Sequence, residues 1–306
     1  MTWVLAAPRA ALAPLRTLVR EHERSREVRV VDPGPLEVLR EAADGASGLL
    51  LVGDRRRGPR TALPGPFVED ACGRLVPVGW LPDLGTELEL FARAAARVQR
   101  RSGPAGPIAV LGQREPRYLQ LAGRMEANLR GRGAPPFQLL RWTSERITRD
   151  DVVRGLRLGI GAGVYFGHGR PSGWAGYHGL RAVHIVEAAG EPLGALLSVT
   201  CLTASRHRVS LSFSEAVVAG GAAAAAVGAV AHVAHLDSMR WMLGLAEALR
   251  SGESRLGPAL LAAAPPDPRL QRPYRIVGDP LARLVGTAEG ERRAARVFAP
   301  PAEYAA

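Results

Sequence analysis

Two positions in this 306-residue chain have the residue types needed for covalent chemistry, and each is delivered by an apolar run into a short polar loop. Cys201 follows Leu196-Leu197-Ser198-Val199-Thr200 and precedes Leu202-Thr203. His168 follows Val164-Tyr165-Phe166 and stands between Gly167 and Gly169, which leave the backbone open on both sides of the imidazole. Ligand sites of open α/β sheets form where strands end in loops. Taken singly, a cysteine at a strand end is more often a small core hydrophobe, and an isolated histidine is usually structural. On consecutive strands of one parallel sheet the two would lie side by side. A thiolate can form there at neutral pH and attack a carbonyl, which is acyl transfer through a thioester.

The elements that must position these residues alternate strand with helix. Strands are expected at Trp3 to Ala6, Val28 to Val31 and Gly48 to Val52, with helices at Ala10 to Glu21 and Leu36 to Ala43 between them. A Gly/Pro-rich loop from Gly53 to Gly73, a strand near Leu75 to Val78 and a helix from about Gly85 to Arg100 complete a first unit. Residues 101–107 (Arg-Ser-Gly-Pro-Ala-Gly-Pro) read as a linker, since two X-Pro steps and two glycines favour an extended or turning chain. The alternation then resumes, with strands at 108–111, 137–142, 163–166, 195–199, 224–230 and 274–276. Helices are expected near 118–130, 148–158, 211–219, 237–250 and 257–263, the second opened by Thr148 with Asp150 and Asp151 in its first turn. The expected organisation is an α/β subdomain over 1–100, a second carrying both reactive residues over 104–290, and a loosely held tail over 291–306, with mainly parallel sheets.

All 40 basic residues are arginine, and the net charge is +11. Such one-sided usage, alongside abundant Ala and Gly, reads as compositional bias; the Arg55–Arg57 cluster lies in a loop without interleaved aromatics, so no nucleic-acid partner is expected. The two cysteines, Cys72 and Cys201, make no disulfide framework and show no zinc-ligand spacing, so neither metal nor cofactor is expected. The start Met1-Thr-Trp-Val-Leu-Ala-Ala-Pro lacks a charged segment and a long apolar one, and no window is apolar enough for a membrane span. The expectation is a cytoplasmic protein without a membrane partner.

With these residues in view, the chain resembles the gingipain-type (C25) caspase-like cysteine peptidases. Gly167-His168-Gly169, with Trp174 six residues beyond the histidine, is similar to their catalytic histidine segment, and Thr200-Cys201-Leu202-Thr203 to their nucleophile. Leu49 to Asp54, Val78-Gly79-Trp80-Leu81 and Tyr274 to Pro280 resemble further landmarks in the same order, so the likeness runs from about residue 3 to 285. It implies a caspase-like fold of two side-by-side α/β/α subdomains and a cysteine endopeptidase acting on protein or peptide substrates. His168 would be the general acid–base, Cys201 the nucleophile, and the N–H groups of Gly169 and Cys201 the oxyanion hole. Trp174, His232 and His235 would line the substrate pocket. Glu115 is the nearest carboxylate to orient His168, although residues 113–116 have the composition of a solvated loop. Three departures stand out. Trp80 replaces the family's usual Arg, the accessory segments of secreted members do not appear, and no Asp falls near Tyr118 and Leu119, where Arg-specific members carry one. A CHAT-type caspase-like protease and an inactive caspase-like binding module are the alternative readings.

Overall fold

Apolar and β-branched runs form the strands here, and the helices between them cover both faces of one sheet. The protein is described from a computed structural model covering residues 2–132, 137–265 and 267–297. The strands in chain order are β1 (Thr2–Ala6), β2 (Glu27–Val31), β3 (Ala46–Gly53), β4 (Phe67–Glu69), β5 (Leu75–Pro82), β6 (Ile108–Gly112) and β7 (Leu139–Thr143). Then follow β8 (Ala162–Phe166), β9 (Gly169–Arg170), β10 (Gly173–Trp174), β11 (Leu193–Val199), β12 (Ala223–Ala229) and β13 (Tyr274–Gly278). Eleven of them form a single sheet in the order β2-β1-β3-β5-β13-β12-β11-β8-β6-β7, with β4 pairing on β5. β9 and β10 make a separate two-stranded hairpin.

Strands from residues 2–82 stay together at one end of the sheet, and those from 108–229 at the other. They meet through β13, which is parallel to β5 and antiparallel to β12. The other neighbours on the main path run parallel, as continuous apolar runs covered on both faces require. β12 is the run Ala-Ala-Ala-Ala-Val-Gly-Ala, wholly buried, and its small side chains let helices Leu88–Gln99 and Phe213–Ala219 pack against it.

The segment 101–107, expected as a linker, is packed down at its ends. Arg101 is 8% exposed and donates to the Val285 and Pro192 carbonyls at 3.1 and 2.6 Å, which fastens the chain where the second run of strands begins. Burial pulls its guanidinium down to about 10. The tail expected from residue 291 is corrected in its first part, because helix Ala288–Val297 occupies it. Thr287 Oγ1 accepts from Gly290 N at 2.9 Å, Glu289 and Glu291 suit the helix dipole, and Ala294 is buried. Residues 298–306 lie outside the described residues. Among the described residues no helix is long and apolar enough to cross a membrane.

One buried carboxylate ties the two ends of the sheet together. Asp279, just past β13 and 0% exposed, accepts from His22 Nε2 at 3.1 Å, Gln99 Nε2 at 2.6 Å and Leu281 N at 3.0 Å. Burial by itself would raise its pKa, but His22, Gln99 and the backbone donor outweigh burial and hold it below the ordinary carboxylate value. A lowered native value means that the stabilisation is complete above the unfolded-state pKa, about 3.9, and is lost as pH falls through the native one. Asp279→Ala leaves His22 buried without its acceptor and Gln99 Nε2 with only the Leu281 carbonyl, and should cost roughly 3–5 kcal/mol in urea unfolding at pH 7. Asp279→Asn should cost less and flatten the fall in stability below about pH 4. An unchanged acid limb in Asp279→Asn would show that the carboxylate is not the group being titrated.

Candidate active site

β8 and β11 are parallel neighbours with Phe166 paired to Val199, and His168 and Cys201 each lie two residues beyond that pair. The sheet therefore delivers both side chains to one edge. The adjoining strands deliver their own loops there, β6 on the far side of β8 and β12 on the far side of β11. Four consecutive strand ends thus converge.

Gly169 is where the two reactive loops touch. A β-carbon built on it would fall 2.3 Å from the Cys201 carbonyl oxygen and 2.7 and 2.8 Å from Thr200 Cγ2 and Oγ1, so only glycine lets the backbones approach. Gly167 meets the same limit beneath the loop, its β-carbon position being 2.1 Å from the Tyr165 hydroxyl. That hydroxyl accepts from Gly176 N at 3.1 Å and donates toward the His168 carbonyl at 3.3 Å. Gln113 Oε1, from the loop after β6, accepts from His168 N at 2.8 Å, and Ala175 N donates to His168 O at 2.9 Å. The backbone of His168 is held on both sides.

The imidazole itself is half-exposed and touches the start of helix Pro116–Arg130. Arg117 Nη2 lies 2.6 Å from Nε2, and the Tyr118 hydroxyl lies 3.3 Å from both ring nitrogens, with the rings edge to face. A guanidinium can only donate, so Nε2 accepts and the ring proton sits on Nδ1. Glu115 Oε1 is 3.7 Å from Nε2, and its other oxygen pairs with Arg117 at 3.1 Å. The carboxylate singled out from sequence is therefore beside the imidazole, but its direct ion-pair partner is Arg117. Burial pushes the Tyr118 phenol above its ordinary pKa; Arg117 opposes this while Glu115 and Cys201 add to it, so the hydroxyl keeps its proton at neutral pH.

Cys201 Sγ is half-buried and accepts from Val233 N at 3.4 Å, in the segment after β12. Leu202 N donates to the Ala231 carbonyl at 3.3 Å, and Leu202 has φ 63°, a left-handed backbone rarely held by a branched residue. The loop thus turns sharply just past the thiol. The Cys201 N–H has no hydrogen-bond partner among the described residues, and no hydrogen bond joins Sγ to the His168 ring there.

The remaining expected residues fall at different depths. Trp174 is 1% exposed, stacked on Tyr165 at 4.1 Å and bonded through Nε1 to Ser198 Oγ at 2.9 Å, so it underpins the histidine loop from inside. His232 is exposed and precedes Val233, which contacts the thiol. The side chain of His235, at the start of helix His235–Arg250, lies outside the described residues. Cys72 is exposed in a different place, near Asp44 and Asp70, and the Asp70 carboxylate there already accepts from Cys72 N, Arg74 N and Arg74 Nε.

A second group anchors the far side of the cysteine loop. Glu215 is fully buried and accepts from Trp80 Nε1 (2.9 Å), Arg206 Nε and Nη2 (2.8 and 2.6 Å), and Ser212 N and Oγ (2.9 and 2.8 Å). Arg206 also donates to the Arg55 carbonyl. The loop carrying Cys201 is so fastened to the part of the sheet built from residues 2–82, and Trp80, which the sequence marked only as a departure, supplies one of the donors.

Residues 133–285 match the sequence profile of peptidase family C25. No curated protein sequence matches the chain significantly. Among solved structures, the complex of Porphyromonas gingivalis RgpB pro- and mature domains superposes with a TM-score of 0.72 at 14% identity, over 92% of this chain and 80% of that one. The Arg specific cysteine proteinase gingipain R (RgpB) superposes with a TM-score of 0.68 at 13% identity, over 92% and 77%. At such identities the likeness carries the fold, the caspase-like α/β arrangement with a mainly parallel sheet.

Two glycine replacements test the contact between the reactive loops. Gly169→Ala forces a methyl onto backbone and should destabilise by roughly 1–3 kcal/mol. Gly123→Ala, in helix Pro116–Arg130 with nothing within 4 Å of the added carbon, should stabilise by about 0.5–1 kcal/mol. Urea midpoints of equal size and sign for the two would refute the close approach.

Proposed function

The chain belongs to peptidase family C25, and from that premise we propose that it is a cysteine endopeptidase working through Cys201 and His168. The observation that carries the reading is the pairing of β8 with β11, which brings the two loops to one sheet edge and Gly169 against the Cys201 carbonyl. In this reaction His168 takes the thiol proton, and the Cys201 thiolate attacks the peptide carbonyl carbon. The electron pair moves onto the carbonyl oxygen, whose charge the Cys201 and Gly169 N–H groups would receive. The oxyanion collapses, the C–N bond breaks, and His168 returns its proton to the leaving amine. Water then gives a proton to His168 and attacks the thioester, releasing the acid and the thiol. The substrate is a peptide or protein. Trp174 acts from beneath by fixing the histidine loop, and His232 borders the cysteine side.

Cys201→Ala removes a half-exposed thiol and should change stability by less than about 1 kcal/mol, while peptide cleavage falls about a thousandfold or more. His168→Ala should do comparable damage, and the double variant should be little worse than either, because the two act as a unit. Cys72→Ala should leave cleavage intact, and iodoacetamide should modify Cys201 faster than Cys72. Retention of cleavage by Cys201→Ala would overturn the assignment. A folded protein that binds peptides but cleaves none across a broad library, with reductant present, would make the chain a binding module.

A further inference from the structure

The ring that should serve Cys201 is engaged elsewhere. Its Nε2 lone pair faces Arg117 Nη2 at 2.6 Å, and the Tyr118 hydroxyl stands 3.3 Å from both nitrogens. A lone pair occupied by a guanidinium cannot receive the thiol proton. Arg117 is 52% exposed, lies 4.5 Å over the Tyr118 ring, and uses only Nη2 toward His168 and Glu115. Its Nε and Nη1 hydrogens have no partner among the described residues; both bidentate edges of the guanidinium, Nε with Nη2 and Nη1 with Nη2, share the nitrogen turned toward His168, so a carboxylate that takes either edge must draw Nη2 from the imidazole.

The place of this arginine runs against local electrostatics. It is the second residue of helix Pro116–Arg130, whose first turn holds no acidic residue, so the cation sits at the positive end of the helix dipole. Of the described residues bonded to the His168 ring or next in sequence to one, only Glu115 is acidic, and it already pairs with Arg117. Arg170, one residue beyond Gly169, and Arg114 add positive charge on neighbouring loops. A cation kept at an unfavourable helix end, with three of its five N–H donors unpartnered among the described residues, is what a carboxylate ligand would complete.

We propose that the substrate carries an aspartate or glutamate flanking the scissile bond, and that its carboxylate binds Arg117 and draws the guanidinium away from His168 Nε2. The imidazole is then free to meet Cys201. Arg117 is on this view both the specificity determinant and the brake on the resting site. The inference rests on the peptidase reading of Cys201 and His168, and its test separates the two.

Fluorogenic peptides that differ only in the flanking residue, Asp and Glu against Asn and Gln, provide the measurement. The acidic peptides should be cleaved with kcat/KM at least about tenfold above their amide counterparts. Arg117→Met should abolish that preference and raise cleavage of the amide peptides, because the ring is no longer held. Arg117→Lys should keep part of it, since charge remains but the fork is lost. The same peptides, titrated by anisotropy against the Cys201→Ala protein, read recognition without chemistry. Acidic peptides binding more tightly, with the difference lost in Arg117→Met, would support the recognition even if no peptide were cleaved, and the peptidase reading would then be the one to fall. Cleavage or binding indifferent to the carboxylate, or a preference that survives Arg117→Met, would overturn the proposal and leave the peptidase reading standing.

Discussion

Register between β8 and β11 is the constraint on which the site depends. Side chains alternate across a strand, so a slip of one residue would send His168 or Cys201 to the wrong face and reverse every buried side chain in that strand. Both strands are buried along their length and lie inside the sheet, β8 against β6 and β11 against β12. A slip would have to break two ladders at once. The same arrangement explains why residues far apart in sequence serve one edge: the end of β6 gives Gln113, Arg117 and Tyr118, and the end of β12 gives Val233.

Around that fixed edge, buried charges hold the two ends of the sheet to each other. Glu215 and Asp279 have lost their water, and each recovers the cost only by accepting from several donors at short distance. An apolar pair of similar size could match the stability. It could not fix the direction of Arg206, which runs from the Cys201 loop to the Arg55 carbonyl, nor the place of His22 and Gln99 against the turn after β13. The contribution of these carboxylates is therefore one of position, and it is felt at the loop that bears the thiol.

Much of this was legible in the sequence because the signals were periodic. Strand and helix alternation located the elements to within a few residues, and the glycine-flanked histidine and the strand-end cysteine fell on neighbouring parallel strands as their order suggested. What escaped was set by tertiary packing. The short helices Pro59–Ala62 and Ala182–Val186 and the hairpin of β9 and β10 carry no period long enough to detect. The helix in the expected tail was hidden by its Ala, Arg and Glu composition, which reads as solvated chain until Thr287 and Ala294 are seen to anchor it. Trp174 reads as a pocket wall only through the family resemblance of the histidine segment, whereas its indole is spent on Tyr165 and Ser198. Arg117 was lost among forty arginines, and nothing in its immediate sequence separates it from the solvated ones.

An arginine is ordinary where it can be hydrated, and only geometry distinguishes one whose guanidinium is stacked on an aromatic ring and aimed at an imidazole nitrogen. Stacking on Tyr118 limits the orientations open to Arg117, so less entropy is lost when a carboxylate takes one bidentate edge of the guanidinium. The helix dipole beneath raises the attraction of that edge for an anion while making the empty arrangement less comfortable. The two effects act in the same direction, favouring occupancy by an acid over the resting contact with His168. A lysine in its place would have the charge without the planar fork, and an apolar residue would leave the imidazole free from the outset. The residue type and its position on the helix together make the histidine's availability depend on what is bound beside it.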